Sequence, residues 1–279
     1  MPASDPIYVT THLFSTGYCL ASESHILRGG DHRTIHCHAL VALIQHPQHG
    51  WLLWDTGYAA HMLAAVRRWP YNLYALATPL RIDPAQAAMH QVQRFGARPA
   101  DIGIIVLSHF HADHIAGLRD FPQARIMATP EAYQEVAHRQ GLSALRRAFI
   151  PELLPTDFQD RFDPLTGFDG PDLPGLGRAC DLFQDGSLLV VRLPGHACGQ
   201  VGLLARTPQG SQFFAADAAW VTQAIRTPRP PSRLASLILH DPAAAARTLA
   251  ALQRFTQARP EVEIIPTHCP EVAARYFPK

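Results

Sequence analysis

A chain of 279 residues with a formal net charge of +1 has the length for a substantial core and no electrostatic footprint for nucleic acid. Its densest basic run, Arg226 to Arg233, is interleaved with prolines and reads as an exposed irregular segment, not a phosphate-binding strip. No apolar run is long enough to span a bilayer, and the N-terminus has neither the basic nor the apolar region of a secretory signal; a cytoplasmic, single-domain protein is expected.

Along the chain, Ile7 to Thr16, His38 to Gln45 and Trp51 to Asp55 read as strands, the last two joined in a hairpin by the turn-like Pro47-Gln48-His49-Gly50. The hairpin ends in Asp55-Thr56-Gly57, where a carboxylate and a glycine leave the strand sharply. Ala59 to Trp69 has a helical pattern. Tyr71 to Leu80 is an aromatic and apolar stretch that suits a lid, a homodimer surface or ordinary core under a long loop. Pro84 to Phe95 reads as an amphipathic helix with Asp83 as N-cap and Gly96 as its stop, feeding the apolar run Ile102 to Leu107.

A strand at Arg125 to Ala128 and a helix from Pro130 continue the alternation expected of α/β layers. From about Gly141 to Cys180 the periodicity is lost and Pro, Asp and Phe accumulate, which predicts an insertion or cap over one end of the fold. Strands resume at Ser187 to Leu193, Val201 to Arg206 and Gln212 to Ala216. A helix over Pro242 to Ala258 and a strand over Val262 to Pro266 end the pattern.

Directly after the run Ile102 to Leu107 come His109, His111, Asp113 and His114. Imidazoles packed this closely depress one another's pKa values and each needs a hydrogen-bond partner, whereas a divalent cation satisfies their lone pairs together. Later strands repeat the theme: Val190 to Gly195 leads into His196, Phe213 to Ala216 into Asp217, and Glu263 to Thr267 into His268. Each of these is unremarkable alone. Jointly they predict a site, because loops at the carboxyl ends of neighbouring strands converge on one edge of an α/β fold.

With 16 histidines the chain is rich in imidazole, yet His12, His32, His46, His49 and His61 lack such spacing, and the His36 and His38 pair has no carboxylate nearby and reads as surface or pocket rim. The five cysteines are scattered without a C-x-x-C pair, which speaks against a disulfide framework or a zinc knuckle. Cys198 and Cys269 adjoin two of the candidate ligands, and packing roles are expected for both.

The motif H-x-H-x-D-H at His109 to His114, followed by Pro194-Gly195-His196, Asp217 and His268, and preceded by Asp55-Thr56-Gly57, resembles the metallo-β-lactamase-fold hydrolases. The resemblance implies a four-layer αβ/βα sandwich: two mixed β-sheets flanked by helices, with the metals at one edge. It implies His109, His111 and His196 around one ion, Asp113, His114 and His268 around the other, and Asp217 between them. Within that superfamily the sequence is most similar to the N-acyl-homoserine lactonases, through Gly17-Tyr18-Cys19, the His38 to Gly57 hairpin and Pro194 to Gln200. One departure stands out: those lactonases carry a tyrosine three residues after the bridging aspartate, and this chain has Trp220, which offers an indole N–H and no phenolic proton.

Two divalent ions sharing a carboxylate acidify a bridging water and polarise a substrate oxygen. The expected reaction is therefore hydrolysis of a lactone or ester by a bridging hydroxide, with Asp113 shuttling the proton and Asp55 orienting a ligand histidine. The N/O ligand set suits Zn²⁺, with Mn²⁺, Fe²⁺ and Co²⁺ fitting similar geometry. Two other readings use the same residues: a thioesterase of the glyoxalase II or polyketide type, and a non-catalytic metal-containing ligand-binding or effector protein.

Overall fold

The computed structural model describes residues 5–277. Alternation of apolar side chains builds the first sheet, from β1 (Thr10–Ser22), β2 (Thr34–His46), β3 (Gly50–Trp54), β4 (Leu80–Arg81), β5 (Ile102–Val106), β6 (Arg125–Ala128) and β7 (Phe162–Pro164). Their spatial order is β4-β1-β2-β3-β5-β6-β7, antiparallel from β4 to β3 and parallel from β3 to β7. After a small hairpin of β8 (Asp172–Leu173) and β9 (Gly177–Arg178), the second sheet follows in chain order. It comprises β10 (Cys180–Asp181), β11 (Leu188–Arg192), β12 (Val201–Thr207), β13 (Gly210–Ala216) and β14 (Glu263–Pro266), with only the β13/β14 pair parallel.

The period of two along a strand separates two cores. Leu40, Ala42 and Ile44 of β2, with Leu52 and Trp54 of β3, face the second sheet, and the Trp54 and Phe214 rings meet across the gap at 6.4 Å. Val41, Leu43 and Leu53 point the other way, onto Met62, Val92, Ile115 and Phe121. On β13, Phe213 turns away from Phe214 and packs 5.2 Å from Phe255 of the helix Pro242–Ala258. The result is the layered metallo-β-lactamase architecture expected from the sequence, two mixed sheets with helices outside. Among the described residues no helix is long and apolar enough to cross a membrane.

Several elements differ from their sequence patterns. β1 runs on past Gly17, which sits at φ 136° in a register shift between Ser15 and Tyr18, so the strand read as ending at Thr16 continues through a bulge to Ser22. The helix expected over Pro84 to Phe95 is broken into Pro84–Gln86, Ala88–Gln91 and Val92–Phe95. Asp83 and Gly96 do cap the ends, but Ala87 is extended at ψ 148° and buried Gln91 donates from Nε2 to the carbonyls of Ser15 and Gln86. Tertiary hydrogen bonds to β1 thus override the helical pattern. The helix expected over Ala59 to Trp69 is confined to Ala60–Ala65.

Residues 141–180 contain the helices Gly141–Leu145 and Phe158–Arg161, supply the last strand of the first sheet and end in the first strand of the second. They carry the chain from one sheet to the other. Because Phe213 is fully buried between its sheet and the outer helix, Phe213→Ala should cost about 3–5 kcal/mol in urea-unfolding free energy.

Candidate metal centre

Parallel pairing sets where the site forms. β3 and β5 are parallel neighbours, and so are β13 and β14. Their carboxyl ends therefore open on one edge, releasing Asp55, His109, Asp217 and His268, while the loop after β11 adds His196. The structure gathers His109, His111, His196 and Asp217 into one buried group, and Asp113, His114 and His268 into a second, with ligand atoms inside each group within 4.8 Å of one another. Asp217 touches both: its Oδ2 is 3.3 Å from His196 Nε2 and 3.0 Å from His268 Nε2, and its Oδ1 is 3.3 Å from His114 Nε2.

Asp55 organises the histidines. Held at φ 58°, it accepts the Ser108 N–H on Oδ1 and the Ser108 hydroxyl on Oδ2, both at 2.8 Å. The His114 Nδ1–H also donates to Oδ2 at 2.8 Å. Having given its proton to Asp55, the Ser108 Oγ accepts from His109 Nδ1 at 2.9 Å. Both rings thereby carry their proton on Nδ1 and aim Nε2 inward. His268 is set the same way, its Nδ1–H donating to the His38 carbonyl at 2.6 Å. Thr56 fixes the backbone, with N–H and hydroxyl both on the His114 carbonyl at 2.9 and 2.8 Å.

Those inward atoms test whether a cation fits. His109 Nε2, His114 Nε2 and Asp217 Oδ1 are buried with no hydrogen-bond partner among the described residues. Buried orphan acceptors cost about 1–3 kcal/mol each, and a divalent ion of N/O preference is the group that relieves several of them at once. The charge balance agrees. Burial holds His109 and His196 well below the usual imidazole range and His111 down to about 4, so all three offer neutral lone pairs. For Asp217, burial is outweighed by His268, His114 and His196, which keep it well below the ordinary carboxylate range and ionised. For His268, burial is outweighed by Asp217 and Asp113, which raise it to about 9; a cation entering the second group displaces that proton. The residues fit divalent metal.

A third cluster of His46, His49 and Asp185 does not. His46 Nδ1 accepts the N–H groups of Gln48 and His49 at 3.1 and 3.2 Å, which puts its proton on Nε2, facing Asp185 at 3.0 Å. His46 therefore has no lone pair left for a cation. Cys269 is buried and accepts from the Thr222 N–H, a packing role, and Cys198 faces the Glu131 carbonyl.

Residues 35–268 match the metallo-beta-lactamase superfamily. The chain belongs to that superfamily. Its curated relatives include N-acyl homoserine lactonase AttM of Rhizobium radiobacter, 28% identical over 164 residues, and a probable metallo-hydrolase of Mycobacterium tuberculosis, 30% identical over 126 residues. The first match covers 56% of each chain, the second 43% of this chain and 37% of the relative, so the chain spans about half the length of the relatives it matches or less. Among solved structures, a variant of the B. thuringiensis protein AiiA with N-decanoyl-L-homoserine bound superposes at TM-score 0.75 and 17% identity over 98% of this chain and 99% of that one. The dizinc quorum-quenching lactonase AidC does so at 0.64 and 16%, over 96% and 92%. At those identities the likeness is one of fold.

Two side chains at this superfamily site were not singled out by their spacing. Tyr74, on the helix Asn72–Ala77, donates its hydroxyl to Asp113 Oδ1 at 3.2 Å. Nothing in its local sequence distinguishes it from a core aromatic, since only the folding of that helix over the site brings it there. Ser108 had a weak signal, a hydroxyl between a buried strand and a ligand-rich turn. Trp220 lies beside both groups, its indole N–H on Asp217 Oδ2 at 3.1 Å and its ring edge-on to His196 at 5.8 Å. Because Asp55 fixes the tautomer of His114, Asp55→Ala should weaken zinc binding by about 10–100-fold in a competitive chelator titration, without loss of helical circular dichroism.

Proposed function

We propose that this chain is a dinuclear metal-dependent hydrolase, binding two divalent ions, Zn²⁺ by preference, and opening a lactone or ester of the acyl-homoserine-lactone kind. The observation that carries the reading is Asp217, one carboxylate within 3.3 Å of histidines from both ligand groups. Support for the substrate class comes from the relatives named as N-acyl homoserine lactonases. The ligand assignment follows the two groups: His109, His111 and His196 for one ion, Asp113, His114 and His268 for the other, Asp217 shared.

Divalent ions bound there supply Lewis acidity, which polarises an ester carbonyl and brings water ionisation toward neutral pH. The protein's own groups do the rest. Asp217 holds the two ligand groups in one frame, and the Trp220 N–H fixes one of its oxygens. Asp113 takes the proton from the attacking water as the new C–O bond forms. It returns that proton to the leaving oxygen as the old C–O bond breaks. Tyr74 keeps Asp113 oriented: burial and the Asp113 charge hold its phenol well above the ordinary range, so its hydroxyl remains a donor throughout the working pH range.

Metal analysis of the purified protein should find close to two ions per chain, and Asp217→Ala should lose at least one together with lactone and ester turnover. A wild-type content of zero after zinc reconstitution refutes the reading. Tyr74→Phe should keep both metals while lowering kcat by about 10-fold or more, with KM little changed; equal loss of metal would give Tyr74 a structural role instead.

A further inference from the structure

We infer that the cavity beside Trp220 holds an anionic group of the substrate on Arg229, so that the preferred substrate is a small ester or lactone carrying a second oxyanion, carboxylate or phosphate. This rests on the hydrolase reading above and narrows its substrate class.

The cavity measures ≈ 320 Å³ and shares His196 and Asp217 with the metal centre, while Trp220 forms part of its wall. At about 30 Å³ per small group, it takes on the order of ten non-hydrogen atoms, a short acyl unit. Much of the remaining lining is apolar, from Ala219, Leu239 and Leu249 among others. Against that wall stand three arginines, Arg28, Arg229 and Arg233, and the one lining carboxylate is Asp217, which already serves the histidines.

The three arginines are not equivalent. Arg28 is exposed and spends a guanidinium N–H on the Pro231 carbonyl at 3.3 Å, tying down the proline-rich loop. Arg233 is exposed. Arg229 is half-buried, and its Nε is shut off from solvent with no hydrogen-bond partner among the described residues. The Glu23 carboxylate feels the charge of Arg229, but both Glu23 oxygens are engaged by Arg33, at 3.0 and 2.7 Å. Three guanidinium groups around a cavity whose one carboxylate is committed to histidines leave its edge positive, with Arg229 the least solvated of the three, so an oxyanion entering there restores both acceptors and counter-charge to that edge. A neutral acyl chain restores neither.

The test uses zinc-loaded full-length protein and esters matched in length: phenyl hexanoate, monophenyl adipate and the corresponding phosphonate. Wild type should favour at least one anionic ester over phenyl hexanoate in kcat/KM by about tenfold or more, the range of a charge-assisted hydrogen bond. The larger of the two ratios identifies carboxylate or phosphate as the natural group. Arg229→Gln should bring the ratio toward one through KM. A wild-type ratio near one, or a ratio that Arg229→Gln leaves unchanged, overturns the inference. Calorimetry with adipate against hexanoate separates this from the hydrolase reading: if no ester is cleaved, that reading fails. Adipate binding that weakens in Arg229→Gln still supports the anion pocket, and its independence of Arg229 refutes it.

Discussion

The site answers to one electrostatic constraint: five imidazoles and the Asp113 carboxylate, in two groups joined by a seventh residue, Asp217, are buried at a single edge with several inward atoms unpaired. Such an arrangement is unfavourable in a protein interior unless a cation completes it. The surrounding shell works to keep the lone pairs pointing inward. Asp55, Ser108 and the His38 carbonyl contribute nothing to the edge itself, yet they decide which nitrogen of His109, His114 and His268 faces it.

Holding those groups in place requires unusual backbone. Asp55 and Ala216 both adopt positive φ, at 58° and 47°, one at the end of β3 and the other just before Asp217. For a residue with a side chain this costs on the order of 1–3 kcal/mol, and it is sustained here by the parallel neighbours β5 and β14 on either side. Gly195 makes the same point through contact. At φ 132° a Cβ there would lie 2.1 Å from the backbone N of Ala245, so the helix Pro242–Ala258 can close on the loop that presents His196 only because that residue is glycine.

The most distinctive side chains of the site lie on its walls. Trp220 spends its N–H on Asp217 and forms part of the cavity wall, where it offers no phenolic donor. A phenol approaches from the other direction instead, on Tyr74, and meets Asp113. Between Trp220 and the proline-rich segment around Arg229 lies a small apolar cavity with a cationic edge. The strand ends thus hold the clustered ligand groups, and the irregular segments around them line the adjoining cavity.

The sequence by itself determined the family, the layered α/β fold and the identity of the clustered residues, because metal chemistry restricts ligand types and the ends of buried strands restrict their spacing. It also marked Trp220 as a departure. Its strand periodicity located most elements of both sheets, since one buried face imposes alternation that is visible residue by residue. What only the tertiary structure decided depends on contacts between segments far apart in the chain. Tyr74 reaches Asp113 across 39 positions, Gln91 reaches back to the Ser15 carbonyl of β1, and Arg229 is brought to the wall of the cavity beside His196 and Asp217. None of these leaves a local pattern, for a hydrogen bond constrains the partners' positions in space and not their spacing in sequence.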